Sequence, residues 1–199
     1  MRADVNSDDR SNAMRIIPPD RFQSQTWKNG GGITREIARE EAAGGLLWRL
    51  SIAEVAADGP FSAFPGQARI LTVIDGAGLW LDTPDRRIEV LPFAPVAFSG
   101  DLVVHCRRID GPVRDFNLIY DPARLLASVR VFQGGAAWIC RAVAGTSHMI
   151  LALGSGVKAG THDLAPGSVA LFEQAAISVS GPTTALLVSI ERRQPRTRD

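Results

Sequence analysis

The residues best suited to bind a small molecule are concentrated in the segment Trp27–Ile37. An aromatic ring, a cation and an amide, from Trp27, Lys28 and Asn29, precede three consecutive glycines there. Glycine permits positive φ and lets backbone N–H groups approach a ligand or a neighbouring strand closely, at a cost in conformational entropy. The spacing matches neither the P-loop nor the dinucleotide fingerprint. The segment therefore predicts either a small-ligand site or a glycine-rich hairpin with solvated cations.

Further polar side chains fall on predicted strands. Arg35 follows the glycines in a run of strand periodicity, Arg49 and Ser51 share one strand face, and Asp115 and Asn117 share another. If these groups converge at the mouth of one barrel, they would line a pocket for a small carboxylate-bearing metabolite. Arginine binds carboxylates through two parallel hydrogen bonds, and asparagine can read an amide or formyl group.

The same residues allow a purely structural interpretation. Pairs of the type Arg49–Asp115 or Arg35–Glu36 would then be salt bridges that hold a barrel together. In the binding interpretation, Trp27 or Phe64 would supply the apolar wall of the pocket.

The composition excludes several classes of protein. With 199 residues and a formal net charge of +1, the chain has no electrostatic case for binding nucleic acid or an anionic membrane. The two cysteines, Cys106 and Cys140, are far apart and indicate neither a disulfide framework nor a zinc site. No apolar run of transmembrane length and no signal-peptide pattern occurs. We therefore expect a cytoplasmic protein.

The elements that must position these residues are strands. The 19 glycines and 12 prolines separate short alternating or β-branched runs, which is typical of an all-β sandwich or barrel. Leu46–Val55 and Arg69–Ile74 are two such strands, and Asp75–Gly78 predicts a hairpin. The one predicted helix is Pro122–Ser128, with Asp121 as its N-cap.

The two halves of the chain repeat one pattern of strand, Gly-x-Gly turn, strand, Pro/Gly corner and strand. Two copies of one small β-barrel unit explain this repeat. The corresponding segments are Leu71–Gly78 with Met149–Gly156, Leu91–Phe98 with Leu164–Phe172, and Asn117–Ile119 with Leu187–Ile190.

The predicted organisation has four parts. Residues 1–13 form a leader, because Ser11–Ala13 before Met14 is similar to a cloning remnant. The ten residues before Ser11 are expected to be either an expression remnant or an upstream start, with Met14 as the natural start. Residues 14–128 form the first barrel, which carries the candidate site. Residues 129–192 form a smaller second barrel, with strand exchange between the halves, and residues 193–199 form a frayed tail.

The repeat and the motifs together resemble the HutD/Ves family. The resemblance spans most of Met14–Tyr120, in order and at suitable spacing. The matching stretches are Trp27–Ile37, Trp48–Val55, Asp58–Ser62, Leu71–Gly78, Phe98–Asp101 and Gly111–Asn117.

The resemblance implies an all-β bicupin fold, with two cupin-like barrels of the RmlC-like jelly-roll type in one chain. It also implies an association with bacterial histidine utilisation, in which HutD has been suggested to sense or bind an intermediate such as formylglutamate. The Ves branch is linked to stress responses. We expect a monomer or a homodimer.

Many cupin enzymes hold a metal through a His-x-His pair, a glutamate and a further histidine. The first of these locations is Phe61–Phe64 in this chain, without an imidazole, and His148 and His162 are fourteen positions apart. His105 stands among valines, which favours a core or hydrogen-bonded position. A transition metal needs three or four donors at one point. The sequence therefore predicts neither a metal nor another cofactor.

Three functions are consistent with these features, and we rank a small-molecule binding, regulatory protein first. Convergence of Lys28, Arg49 and Asn117 in one cavity would favour it. A metal-free isomerase or lyase with Asp115 or Glu54 as base comes second and requires a cavity carboxylate beside another titratable group. A stress-response protein whose barrel is plugged by Trp and Phe side chains comes third.

Overall fold

The computed structural model describes residues 14–28, 30–134, 138–141, 145–173, 176–180 and 183–193. Residues 1–13, the predicted leader, and residues 194–199 of the predicted tail lie outside this part of the chain. A single 3-10 turn at Pro19–Arg21 accompanies the strands of the described residues. The strands are β1 Arg15–Ile17, β2 Gln23–Thr26, β3 Gly32–Ala42, β4 Gly45–Val55, β5 Gly59–Pro60, β6 Ala68–Asp75, β7 Leu79–Asp82, β8 Arg87–Val90, β9 Val96–Ser99, β10 His105–Arg108, β11 Val113–Tyr120, β12 Leu125–Gln133, β13 Trp138–Arg141, β14 Thr146–Ala152, β15 Val157–Ala159, β16 His162–Leu164, β17 Val169–Phe172, β18 Ala176–Val179 and β19 Thr184–Arg192.

The strands form four antiparallel sheets, which confirms the prediction of an all-β fold. Sheet I has the strand order β5-β10-β7-β8, and sheet II has the order β2-β3-β4-β11-β6-β9. Sheet III has the order β1-β17-β14-β19-β12, and sheet IV has the order β13-β18-β15-β16.

Three apolar clusters hold the sheets together in the order I, II, III, IV. Because successive side chains of a strand point to opposite faces, the two central sheets contribute one face to each of two clusters. Each cluster joins residues of two sheets, for example Leu81 with Leu71, Leu118 with Met149, and Ile150 with Val157. Sheets II and III are therefore buried on both faces over much of their area.

The internal repeat corresponds to equivalent positions in the two central sheets. In sheet II, β6 lies between β9 and β11, and in sheet III, β14 lies between β17 and β19. These are the strands that carry the three pairs of similar segments. β1 lies beside β17, so that Arg15–Ile17 completes a sheet made otherwise of strands that come after Tyr120.

The predicted helix Pro122–Ser128 is wrong. Asp121 does organise a turn, since its carboxylate accepts a hydrogen bond from the Ala123 N–H (2.8 Å) and its carbonyl accepts one from the Leu125 N–H (2.9 Å). The chain then continues as β12, which pairs with β19 along its whole length. Nine ladder positions and alternate burial of apolar side chains outweigh one helix-type cap.

The predicted hairpin at Asp75–Gly78 is also wrong. The strands on either side, β6 and β7, belong to sheets II and I and do not pair with each other. Gly78 has φ +124° and lies so close to β8 that a Cβ atom would stand 2.8 Å from the Val90 carbonyl oxygen. The glycine turn is thus a corner that transfers the chain between sheets.

None of the described residues forms a helix that is long and apolar enough to cross a membrane.

Candidate functional site

A pocket of about 440 Å³ opens at one end of sheet II. This volume lies within the ordinary range for small-molecule sites, which is roughly 300–1,000 Å³. The wall is built from the end of β2, the glycine-rich segment, the inward face of sheet II and the loop after β5. Its described lining residues are Gln25, Thr26, Trp27, Lys28, Thr34, Arg49, Ser51, Ala53, Pro60, Phe61, Ser62, Phe64, Arg69, Asn117 and Ile119.

Strand register brings the polar groups of the floor together. Ile119 of β11 is paired with Arg49 on one side and with Arg69 on the other. One step along the strands, Asn117 is paired with Ser51 of β4. Neighbouring strands lie about 4.8 Å apart and alternate residues share a face, so both arginines project from one row into the same pocket.

Arg69 is the most deeply buried cation of the pocket, with only 6 % of its surface exposed. Its guanidinium carbon lies 5.0–5.5 Å from the ring centres of Phe61, Phe64 and Phe98. Burial lowers the pKa of Arg69 from 12.5 to about 10, so that the group stays charged at neutral pH. Stacking on aromatic faces offsets part of the desolvation cost.

Arg69 makes no ion pair with the described residues. Its Nη2 donates to Asn117 Oδ1 (2.7 Å), its Nη1 contacts the Ser62 carbonyl oxygen (3.4 Å), and its Nε is buried without a partner. A buried charge without a counter-ion is costly. The guanidinium is therefore an unsatisfied donor group beside an open cavity.

A chain of hydrogen bonds leads from Arg69 into the interior. Asn117 accepts from Arg69 and donates through Nδ2 to Asp115 Oδ1, which fixes the orientation of its amide. Asp115 is fully buried, and its Oδ2 has no partner among the described residues. Burial raises the pKa of Asp115 to about 7, against the opposing effects of the Arg69 charge and the Asn117 hydrogen bond.

The glycine-rich segment forms the rim of the pocket. The Trp27 indole N–H donates to Thr34 Oγ1 (2.8 Å), and its ring meets Phe61 edge to face at 5.8 Å. Gly32 allows this arrangement, because a Cβ atom there would stand 2.4 Å from the Glu54 carbonyl oxygen and 3.1 Å from the Trp27 ring. Lys28 follows Trp27 at the exposed rim. The segment thus serves close packing and brings a cation to the mouth.

The structure brings six of the nine predicted site residues to this pocket. They are Trp27, Lys28, Arg49, Ser51, Phe64 and Asn117. Asn29 lies outside the described residues. Asp115 lies beneath the floor and does not line the pocket. Arg35 is in register with Ile52 of β4, which packs in the core between sheets II and III, and so points away from the pocket.

Both predicted arginines make ion pairs, although with partners other than those predicted. Arg49 Nε lies 2.6 Å from Glu36 Oε2, and Arg35 pairs with Glu54. Glu36 is paired in register with Ser51 and is therefore a diagonal neighbour of Arg49. The pair with Glu36 orients Arg49, which keeps its place in the pocket wall.

Sequence reasoning missed Arg69 and Phe61. The available signal was the position of Arg69 in β6, in phase with Leu71 and Val73 of the buried face. A cation on the inward side of an apolar strand needs partners, and Phe61 and Phe64 of the loop after β5, with Phe98 of β9, provide them here.

The charged side chains that line the pocket in the described part of the chain are all cations. They are Lys28, Arg49 and Arg69, of which Arg49 is also paired with Glu36. The aromatic rings and Ile119 supply apolar surface beside these donors. Such a lining complements a small anion with an apolar portion.

The histidines do not form a metal centre in the described part of the chain, where no group of three His, Cys, Asp or Glu side chains is close enough to hold an ion. His148 is buried, with its Nδ1 3.0 Å from Ser189 Oγ and its ring stacked on Phe172. His105 is exposed at the start of β10 and His162 is exposed in β16. The core alternative for His105 is therefore wrong, and its hydrogen-bonded alternative stays a prediction.

Comparison with known proteins places these features in a family. Residues 20–193 match the HutD family. A 21.2 kDa uncharacterized protein from the hutC 3′ region of Pseudomonas putida is 43% identical over 126 residues, a match that spans 61% of this chain and 65% of that protein, just under two thirds of its length.

Two solved structures are similar along nearly their whole length. HutD from Pseudomonas fluorescens SBW25 is 35% identical, with a TM-score of 0.79, 92% of this chain covered and 100% of that chain. A conserved protein of unknown function from Pseudomonas aeruginosa PAO1 is 32% identical, with a TM-score of 0.82, 90% of this chain covered and 99% of that chain.

More distant structures share the fold alone. Bacterial pirin YhhW from Escherichia coli has a TM-score of 0.65 at 8% identity, with 89% of this chain covered and 98% of that chain. The cupin-like class of the fold is thereby confirmed, and the division into two complete barrels stays a prediction. The resemblance inferred from the glycine-rich segment and the strand motifs is confirmed as well. The chain belongs to the HutD family.

Proposed function

We propose that this HutD family protein binds a small carboxylate-bearing metabolite in the pocket of sheet II, as a regulatory protein rather than an enzyme. The observation that supports this most strongly is Arg69, a buried guanidinium with free donor capacity at the edge of a cavity without acidic side chains among its described lining residues. A carboxylate in the pocket would supply the direct ion-pair partner that Arg69 lacks among the described residues. Arg49 and Lys28 would receive the remaining negative charge or a second carboxylate.

Formylglutamate is the first candidate ligand. It carries two carboxylates and one formamide group, which suits three cations and the polar side chains of Ser51 and Asn117. Its short carbon chain would lie against the aromatic wall. Family membership points to histidine breakdown as the source of such a metabolite.

The other two functions receive less support from the site. Asp115 does not reach the cavity, because Asn117 lies between its carboxylate and the pocket, so it is poorly placed as a catalytic base. Glu54 pairs with Arg35 on the opposite face of sheet II. Trp27, Phe61 and Phe64 line an open volume rather than fill it.

The test is isothermal titration calorimetry and thermal unfolding with formylglutamate, glutamate, urocanate, histidine and formate. Formate is included because the Pseudomonas fluorescens HutD structure belongs to a formate condition. The diamide of formylglutamate, which has no carboxylate, is the matched control ligand. At about 100 times its dissociation constant, a ligand should add roughly 2.7 kcal/mol to the free energy of unfolding. Equal responses to formylglutamate and its diamide would contradict the proposal.

Arg49→Ala and Arg35→Ala form a matched pair of variants. Each removes an arginine of sheet II that is paired with a glutamate, but only Arg49 lines the pocket. Loss of a charge-assisted hydrogen bond costs about 1.5–3 kcal/mol, so Arg49→Ala should weaken formylglutamate binding roughly 10- to 100-fold. Arg35→Ala should leave the affinity unchanged. Equal losses in both variants would place the ligand elsewhere.

A further inference from the structure

Asp115 has a position that the binding function does not explain. It lies on the pocket-facing side of β11, in register with Ala53 of β4 and Val73 of β6, one step deeper than Asn117. Its carboxylate is completely buried and makes a single hydrogen bond, from Asn117, among the described residues. An apolar residue would fill such a place without the cost of burying a carboxyl group. A buried carboxyl group at this position therefore indicates a role other than packing.

Arg69 lies between Asp115 on its interior side and the cavity on its other side. Arg69 reaches Asp115 through the Asn117 amide, and it also lines the cavity. When Asp115 is ionised, its negative charge compensates the positive charge of Arg69 from the interior side. When Asp115 is protonated, Arg69 has no counter-charge among the described residues.

We propose that Asp115 sets the affinity of the pocket for anions, because a carboxylate that binds at Arg69 replaces Asp115 as the counter-charge and Asp115 takes up a proton. This inference rests on the proposed function. Asp115 touches no ligand in this scheme and is a positioning residue that acts through Asn117 and Arg69.

The groups around Asp115 make its carboxyl the one that changes protonation when an anion binds at Arg69. The Arg69 charge holds the pKa of Asp115 down, so an anion that screens this charge raises it, and by linkage a lower pH favours binding of the anion. Of the other facing groups, the Cys106 thiol of β10 has a pKa raised to about 12 by burial and stays neutral, and Arg49 of β4 acts on Arg69 as a like charge. The flanking Ala53 and Val73 carry no charge.

The experiment is calorimetric titration of the full chain with formylglutamate in two buffers of different ionisation enthalpy. Measured between about pH 6 and about pH 8, the difference in heat gives the number of protons taken up per ligand. We expect a fractional uptake that is largest near neutral pH. The dissociation constant should rise with pH, with a limiting slope of about tenfold per pH unit.

Asp115→Asn is the critical variant, because asparagine keeps the shape and an oxygen that can accept the Asn117 hydrogen bond. It should bind formylglutamate with no proton uptake in this range and with a nearly constant dissociation constant. If the variant does not fold, tight binding without proton uptake by the native chain still overturns the inference.

The possible failures are distinguishable. Tight binding without proton uptake by the native chain, or unchanged uptake in Asp115→Asn, would overturn this inference and leave the proposed function intact. No binding of formylglutamate, glutamate or formate at any pH would overturn the proposed function, and this inference with it.

Discussion

Replacing Asp115 by asparagine should change how the stability of the ligand-free protein depends on pH. The pKa of this buried carboxyl rises from its ordinary value of 3.8 to about 7 in the folded protein. Between these two values the folded chain binds more protons at Asp115 than the unfolded chain does. The contribution of Asp115 to the free energy of unfolding therefore falls as the pH rises through this window, and it levels off above it.

The size of the effect is set by the same shift. A tenfold change in an acid dissociation constant corresponds to roughly 1.4 kcal/mol, so the rise in the pKa of Asp115 from 3.8 to about 7 corresponds to about 4 kcal/mol. Asp115→Asn removes this contribution while it retains the shape of the side chain. The free energy of unfolding of the native chain minus that of the variant should thus fall by about 4 kcal/mol from about pH 4 to about pH 7.

Urea unfolding, followed by tryptophan fluorescence in a series of buffers, measures this difference. Asp101→Asn is a suitable control, because Asp101 is exposed and hydrogen bonds from the Gly66 N–H and Ser99 lower its pKa. Its difference curve should be flat above about pH 4.5, where the carboxyl is ionised in both states. Parallel pH profiles for the native chain and Asp115→Asn would refute the reasoning.

Three substitutions test the architecture around the site. Gly32→Ala forces a Cβ atom to within 2.4 Å of the Glu54 carbonyl oxygen and should cost about 1–3 kcal/mol of stability, measured by urea unfolding. An unchanged midpoint would show that the approach of β3 to β4 is not tight. Leu118→Ala empties a fully buried position between sheets II and III and should cost about 2–5 kcal/mol by thermal unfolding. A loss below about 1 kcal/mol would contradict the position of Leu118 in this core. Asp121→Ala removes the acceptor of the Ala123 N–H and the half-exposed ion pair with Arg124, and it should cost only about 0.5–2 kcal/mol. A much larger loss of stability in the same assay would contradict a local role for Asp121 in the turn between β11 and β12.

Much of the fold could be predicted because it depends on local patterns. Alternation placed Arg49 and Ser51 on one face of β4, and the glycines and prolines marked where strands end. The repeated motifs identified β6 and β14 as equivalent strands. These signals are short-range, since side-chain direction in a strand depends only on the parity of the position.

Local signals were misleading where long-range pairing outweighed them. Asp121 and Pro122 resemble a helix start, yet the residues after them gain a full ladder with β19. The glycines of Asp75–Gly78 resemble a hairpin, yet they connect two different sheets. In both cases the sequence indicates a change of direction, and the partner strand decides which structure the chain adopts after it.

The sequence by itself determined the strand pattern, the family and six of the residues that line the pocket. It could not determine that Arg35 points away from the pocket, because alternation separates two faces without saying which one meets sheet I. Nor could it distinguish Asp115 from Asn117, which share a face but differ in depth. The role of Arg69 depends on Phe98 of the neighbouring strand β9 and on Phe61 and Phe64 of the loop after β5, which meet at its guanidinium only in the folded chain. Burial, counter-charge and pKa arise from contacts between distant segments, so only the tertiary structure decided them.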